Sequence, residues 1–222
     1  MSELIVIILL IISLLFLFGL YHYLDKRGLY FAIVILNILT FILTFKITLL
    51  FKMNINLGIV PYLVTLSVVY IYLIKYGKKE IKNLIIVSLI TNVITAILIT
   101  IMNSFIPAIT ETISINMEGT FEYNYKILIA YPIIMLISQY LVIKLYYLLS
   151  TLQNSIFVSI ILTYIITGLV YTVIFYMLCY IAILPIKNAI FLGITTYIAG
   201  LGLTIINIAF IKLIINRKKV IK

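Results

Sequence analysis

Apolar residues in this chain do not alternate with polar ones; they run on for about the thickness of a membrane and then stop. Seven such runs stand out, at about 4–24, 29–51, 57–74, 84–106, 127–149, 156–183 and 189–215. Short polar clusters divide them, among them "DKRGLY" (Asp25–Tyr30) and "KYGKKE" (Lys75–Glu80). A transmembrane helix needs roughly 20 apolar residues. Inside lipid every backbone polar group must be satisfied within its own segment, so runs of this length predict helices. The period of two that marks a barrel strand is missing. The pattern therefore predicts an all-α, polytopic membrane bundle of about seven helices, forming a single transmembrane domain over residues 1–222. The count falls to six if the short break at Pro185–Asn188 does not separate the last two runs. The first run lacks a basic leader and a small-residue cleavage site, and so reads as a retained span rather than a signal peptide.

Composition agrees. Hydrophobic residues make up 65% of the chain and charged ones 10%, with a mean hydropathy of +1.32; soluble domains are about 45–50% apolar and 25% charged. The net charge of +10 acquires a meaning from its placement. With seven spans, one side carries Lys26, Arg27, Lys75, Lys78, Lys79, Lys82, Lys144, Lys212, Arg217, Lys218, Lys219 and Lys222, and the other only Lys52, Lys126 and Lys187. Basic residues concentrate on the cytoplasmic side of membrane proteins. The carboxyl terminus and the KYGKKE loop are thus expected in the cytoplasm of a multi-pass cell-membrane protein, and the amino terminus outside. This reading makes the charge a topology signal rather than a nucleic-acid footprint.

The chemistry the sequence offers is sparse. None of the six acidic residues, Glu3, Asp25, Glu80, Glu111, Glu118 and Glu122, falls in the middle of a run. There is no H-E-x-x-H, no paired acids, no Ser-His pair and no Walker motif. No enzyme, cofactor or metal is expected. Cys179 lies in an apolar run and reads as a core residue. His22, beside Asp25 and Lys26, reads as interfacial rather than as a proton relay. The Pro107–Lys126 connection carries Thr110, Glu111, Thr112, Ser114, Asn116 and Glu118, which suit either a solvated loop or a short outer lid. Without tryptophan, tyrosines such as Tyr21, Tyr30, Tyr76 and Tyr146 would supply the interfacial belts.

Four motifs, "DKRGLY", "FKITLLF" (Phe45–Phe51), "NLG" (Asn56–Gly58) and "KYGKKEIKN" (Lys75–Asn83), follow in an order and spacing that resemble the queuosine-precursor transporter family, also called the vitamin uptake transporter family. The resemblance runs from about Tyr21 to Asn83 and returns at "LISQ" (Leu136–Gln139), "VIF" (Val173–Phe175) and "TTY" (Thr195–Tyr197). It implies a membrane importer of deazapurine queuosine precursors or a related small planar polar solute. Where the family's pattern has polar or charged residues within its spans, this chain carries Phe41, Leu43, Ile59, Tyr70, Ile74, Leu141, Val142, Gly168, Tyr171, Gly200 and Asn207. Stacking and hydrogen bonding would then replace ion pairing.

The resemblance makes Lys46, Tyr62, Gln139 and Asn207 the candidate substrate-binding residues, with Thr195, Thr196 and Tyr197 nearby. Each has a plainer reading. Lys46 lies near the end of its run, where a lysine either snorkels to the interface or faces a cavity. Gln139 pairs with a heterocycle edge or bridges helices. Tyr62 and Tyr70, eight residues apart, stack a flat ring or simply pack. Asn207 keeps the shape of the family's aspartate without its proton. Gly193, Ala199, Gly200 and Gly202 make a small-residue patch suited to close helix packing. The expected partners are a small-molecule substrate and the lipid bilayer, not nucleic acid; a homo-oligomer or a separate energising partner stays open. The competing expectation is a non-transporting scaffold that kept the fold and lost the site.

Overall fold

The computed structural model of the protein describes residues 2–103, 125–152, 155–180 and 184–217. Its elements in chain order are α1 (Ser2–Thr44), β1 (Ile47–Leu50), β2 (Met53–Asn56), α2 (Ile59–Tyr76), α3 (Ile81–Asn103), α4 (Tyr125–Leu152), α5 (Ile156–Phe175) continued by a π-turn (Tyr176–Tyr180), and α6 (Ile186–Arg217). Among the described residues six helices are long and apolar enough to cross a bilayer, so the fold is a helical bundle suited to a multi-pass membrane protein. The Pro107–Lys126 connection lies outside the described residues up to 124, and the candidate lid with it.

The first two apolar runs appear as one helix, but α1 is not straight. Asp25 has φ 50° and ψ −123°, outside helical space. A Cβ built on Gly28 would lie 2.0 Å from the carbonyl oxygen of Leu20, eight residues earlier. In a continuous helix those residues are about 12 Å apart along the axis. The chain therefore doubles back at Asp25 into two arms, 2–24 and 26–44, whose backbones touch where only glycine fits. A non-glycine residue at such a φ costs on the order of 1–3 kcal/mol and persists only when its surroundings hold it. Here they do: the Tyr76 hydroxyl donates to Asp25 Oδ1 at 2.6 Å, and Lys26 forms an ion pair with Glu80. This single turn thus clamps α1 to both ends of the KYGKKE loop.

The second run predicted helix to residue 51, and there the structure differs. Helix α1 ends at Thr44, and residues 47–56 form an antiparallel hairpin pairing Ile47 with Asn56 and Leu50 with Met53. Thr48 is β-branched, as are Ile47 and Ile55, which favours extended chain. The two-residue loop, Phe51 and Lys52, has φ of 48° and 64°, the geometry of a type I′ turn, whose twist matches the flanking strands. The hairpin carries the chain from the end of α1 to the start of α2.

Helix α2 is the axis of the bundle: every residue from Ile59 to Leu73 is buried. The other helices run up and down around it. Tyr70 of α2 packs its ring on Tyr146 of α4 and Tyr164 of α5, with centroids 6.0 and 4.9 Å apart. At the end bearing the KYGKKE loop, Lys75 Nζ donates to the Ile215 carbonyl of α6 at 3.0 Å. At the other end the hairpin lies against α6. Helix α3 buries a single stripe, Ile81, Leu84, Ser88, Asn92 and Ile99, at the three- and four-residue spacing of one helical face. The apolar side chains it turns away, such as Ile86, Ile90, Ile97 and Leu98, are exposed, as lipid-facing positions are.

Gly28→Ala tests the reversal. It should cost at least about 3 kcal/mol, since backbone rather than a flexible side chain must move, and is expected to abolish the folded peak in detergent size-exclusion chromatography. Gly19→Ala, where an added Cβ meets nothing within 4 Å, should be neutral or stabilise by up to about 1 kcal/mol.

Candidate functional site

Within a bilayer, apolar helices gain no hydrophobic energy by leaving lipid for each other, so packing and interhelical hydrogen bonds decide how they associate. Among the described residues, three groups of buried polar side chains serve this end.

The first joins the hairpin to its neighbours. Asn56 Nδ2 donates to the Thr44 carbonyl at 2.6 Å and to the Tyr180 hydroxyl at 2.8 Å, while its Oδ1 accepts from the Gly58 N–H at 2.8 Å. One side chain thus satisfies the carboxyl end of α1 and the amino end of α2. The outer edge of β2, which would otherwise lack a partner, is bonded by α6: the Asn56 N–H donates to Thr196 Oγ1 at 3.0 Å, and the Thr195 hydroxyl donates to the Asn54 carbonyl. Tyr176 also donates to Thr196 Oγ1, at 2.9 Å. The π-turn brings Tyr176 and Tyr180 into a stack, centroids 5.1 Å apart and 22° from parallel, so that both hydroxyls reach this cluster. Thr195 and Thr196, candidates near the site by resemblance, therefore act on backbone.

The second group centres on Asn207 of α6. Its Nδ2 donates to the Leu63 carbonyl at 2.8 Å and to the Tyr164 hydroxyl at 2.9 Å, and its Oδ1 accepts from the Ser67 hydroxyl at 2.7 Å. Tyr164 in turn donates to the Leu63 carbonyl at 3.1 Å. Asn207 is fully buried, with its donors and acceptor engaged across α2, α5 and α6. Beside this knot lies a space of about 10 Å³ bounded by Leu63, Tyr164, Gly168 and Gly200, room for about one water.

The third group differs, because it is incomplete. Asn37 Nδ2 of α1 and Gln139 Nε2 of α4 both donate to Ser88 Oγ of α3, each at 2.7 Å. Asn37 Oδ1 accepts no hydrogen bond, and neither Oδ1 nor Nδ2 of Asn92 has a partner. Asn92 stands one turn beyond Ser88 on the same buried stripe and is 1% exposed. An unsatisfied buried polar group costs about 1–3 kcal/mol, so two amides left open inside the bundle call for a partner. Next to Gln139, Ser138 hydrogen-bonds the Tyr62 hydroxyl of α2. The Tyr62 ring stacks on Tyr171 of α5, centroids 4.0 Å apart and 18° from parallel, and Tyr171 stacks on Phe175 at 5.4 Å and 5°. An aromatic column and an open amide cluster thus meet at Ser138–Gln139.

Of the four candidates, Tyr62 and Gln139 are brought together through α4. Asn207 of α6 bonds α2, the helix that carries Tyr62, but belongs to its own closed knot. Lys46 stands apart: it is exposed in the link between α1 and β1, where its carbonyl accepts from the Leu57 N–H at 2.9 Å. The groups that sequence reasoning passed over are Asn37, Ser88, Asn92, Ser138 and Tyr171. Asn37 and Asn92 carried a visible signal, an amide in the middle of an apolar run, where polar residues are expensive. Gly193 and Gly200 of the small-residue patch do serve close packing, since an added Cβ would lie 3.3 Å from the Tyr176 ring and from Ile59 respectively; Gly202 has open space around it.

A larger cavity, about 220 Å³, lies between α5 and α6, lined by Leu169, Val173, Met177, Ile190, Ile194 and neighbours. Those five are exposed, so the groove suits acyl chains rather than a polar solute.

No protein-family model matches the chain, and no curated protein or solved structure matches it.

Asn207→Leu should lower stability by about 1–3 kcal/mol, because it strands the Ser67 and Tyr164 hydroxyls and the Leu63 carbonyl; the midpoint of thermal aggregation in detergent reads it. Lys46→Met, at an exposed position without a side-chain hydrogen bond in this group, should leave that midpoint within about 0.5 kcal/mol of the parent's equivalent.

Proposed function

We propose that the protein imports a small, planar, polar solute across the cell membrane, binding it between the Tyr62–Tyr171 stack and the amides of Gln139, Asn37 and Asn92. The observation that carries this reading is the junction just described: a parallel aromatic pair joined, through Ser138 and Gln139, to buried amides that have unfilled hydrogen-bonding capacity. A flat heterocycle needs both parts, faces to stack on and an edge to pair with. In this structure the two rings touch, so the slot is closed; a ring between them requires centroids about 7 Å apart. The resemblance to queuosine-precursor transporters supports deazapurine precursors as the substrate class.

The topology of this reading has seven spans, with the two arms of α1 crossing separately. The Glu3 carboxyl sits against the backbone of Phe51 at the hairpin tip, while Phe18 packs edge-on against Phe210 of α6, centroids 6.1 Å apart. Arm 2–24 would thus cover the depth of the bundle. The excess of basic residues at the KYGKKE end makes that end cytoplasmic, with the amino terminus outside. Glu3, Asp25 and Glu80, the acidic residues among those described, all stand at the ends of helices. With no titratable acid at membrane depth among the described residues, import in this reading is facilitated diffusion, and accumulation comes from later trapping of the solute.

A second reading has one observation in its favour. Asn207 occupies a position where the family pattern has an aspartate, and its polar atoms are consumed by protein partners. That suits a scaffold which kept the fold without the transport site.

Uptake of labelled queuosine precursor decides between the two. Cells lacking other importers and expressing this chain should take up label, and Tyr171→Ala or Gln139→Leu should lower the initial rate at least about tenfold at equal membrane abundance. Proteoliposomes should equilibrate without overshoot under a pH or sodium gradient. No uptake above the empty vector would favour the scaffold, and an overshoot would overturn the uncoupled mechanism.

A further inference from the structure

Resting on the importer reading, we infer that Asn92 is the residue that selects the solute, by pairing with an uncharged lactam or cis-amide edge through two hydrogen bonds. Asn92 was not among the candidates, and nothing in the resemblance assigns it a role.

The inference begins from its surroundings. Both polar atoms of the Asn92 side chain are buried and unpartnered, although other buried amides in the bundle, Asn56, Gln139 and Asn207, have found partners. The chain clearly can satisfy an amide inside the membrane. It does so for Asn207 with three groups on neighbouring helices, yet supplies nothing to Asn92. Elsewhere on the same stripe α3 buries an apolar side chain, Leu84. An open amide in such a place fits a ligand group better than a packing group.

The chemistry of the partner follows from the donors and acceptors. A carboxamide presents one acceptor, Oδ1, beside two N–H donors on Nδ2. The edge that meets both at once carries an N–H next to a C=O: the solute N–H donates to Asn92 Oδ1, and the solute carbonyl accepts from Asn92 Nδ2. Asn37 Oδ1, also open, takes a further N–H or NH₂ donor of the solute. Net charge on the ligand is disfavoured by the same surroundings. Among the described residues the buried polar set consists of Ser, Thr, Asn and Gln side chains, with no Asp, Glu, Lys, Arg or His. A charged solute would lose its hydration here without a counter-ion, which is far more costly than burying a paired neutral group.

The experiment uses the full chain in lipid nanodiscs and two labelled probes, 7-deazaguanine, which carries the lactam edge, and its O6-methyl ether, which has lost the lactam N–H. The parent protein should bind the lactam at least tenfold more tightly. Asn92→Leu, which keeps shape and removes both hydrogen bonds, should bind the two probes equally. Its solute-free form should also melt higher than the parent, because an unpaired amide has been removed; a merely structural asparagine would make the variant melt lower. Asn92→Ser gives the same loss of preference by a milder change, should the leucine variant fold poorly. Equal binding of the probes by the parent, binding of neither, or a preference retained in both variants would overturn the inference. Uptake of labelled precursor together with equal probe binding would overturn Asn92 as selector and leave the importer reading standing. A tenfold preference without any uptake would do the reverse.

Discussion

Backbone groups at the ends of helices have no partner within the helix, and at membrane depth no water replaces one. In this protein the break between α1 and α2 sets that problem at its sharpest, and the Asn56 side chain answers it. By bonding the Thr44 carbonyl, the Gly58 N–H and the Tyr180 hydroxyl, one carboxamide closes two helix ends and fixes a third element against them. The close quarters show in Gly58, where an added Cβ would lie 2.4 Å from Thr44 Oγ1 and 2.9 Å from Asn56 Oδ1. The hairpin exists in this form because α6 offers Thr195 and Thr196 to its free edge. The direction of α2, and with it the bundle axis, follows from that junction.

From the axis, the polar groups divide by whether they are finished. The knots at Asn56 and Asn207 have their hydrogen bonds filled by protein and hold helices in place. The group at Asn37, Ser88, Asn92 and Gln139 does not, and it adjoins the aromatic column of Tyr62, Tyr171 and Phe175. In an interior where each unfilled amide is costly, this contrast separates glue from a site more cleanly than residue type does. Asparagine occurs in all of these groups; only its partners differ. Lys46 belongs to none of these groups: it is exposed at the junction between helix and hairpin, and its carbonyl accepts from the Leu57 N–H.

Much of the fold was legible because a membrane imposes one rule on every segment. Runs of about 20 apolar residues had to be helices, and the runs after residue 57 became α2 to α6 within a few residues of where they were read. The breaks were less legible. "DKRGLY" announced a polar interruption, but a reversal without an intervening loop depends on Gly28 meeting Leu20, a contact that spacing does not reveal. The stretch 45–51 looked like the end of a helix, since Ile, Leu and Phe suit a helix and a strand equally; the decision fell to the partners that β2 found on α6.

For the site, the chain itself fixed which polar side chains would lie at membrane depth, since any Asn, Gln, Ser or Thr inside an apolar run is carried there by helix geometry. The acids among the described residues, Glu3, Asp25 and Glu80, stand at helix ends. Which amides would be satisfied, and by whom, was decided only by the tertiary arrangement. Asn207 and Asn92 are alike in sequence, each an amide well inside a long apolar run. Helix packing set Asn207 against Leu63, Ser67 and Tyr164, and left Asn92 one turn from Ser88 with nothing to bond. Hydrogen-bond satisfaction is a property of pairs on different helices, and a single chain's pattern specifies the members but not the pairs.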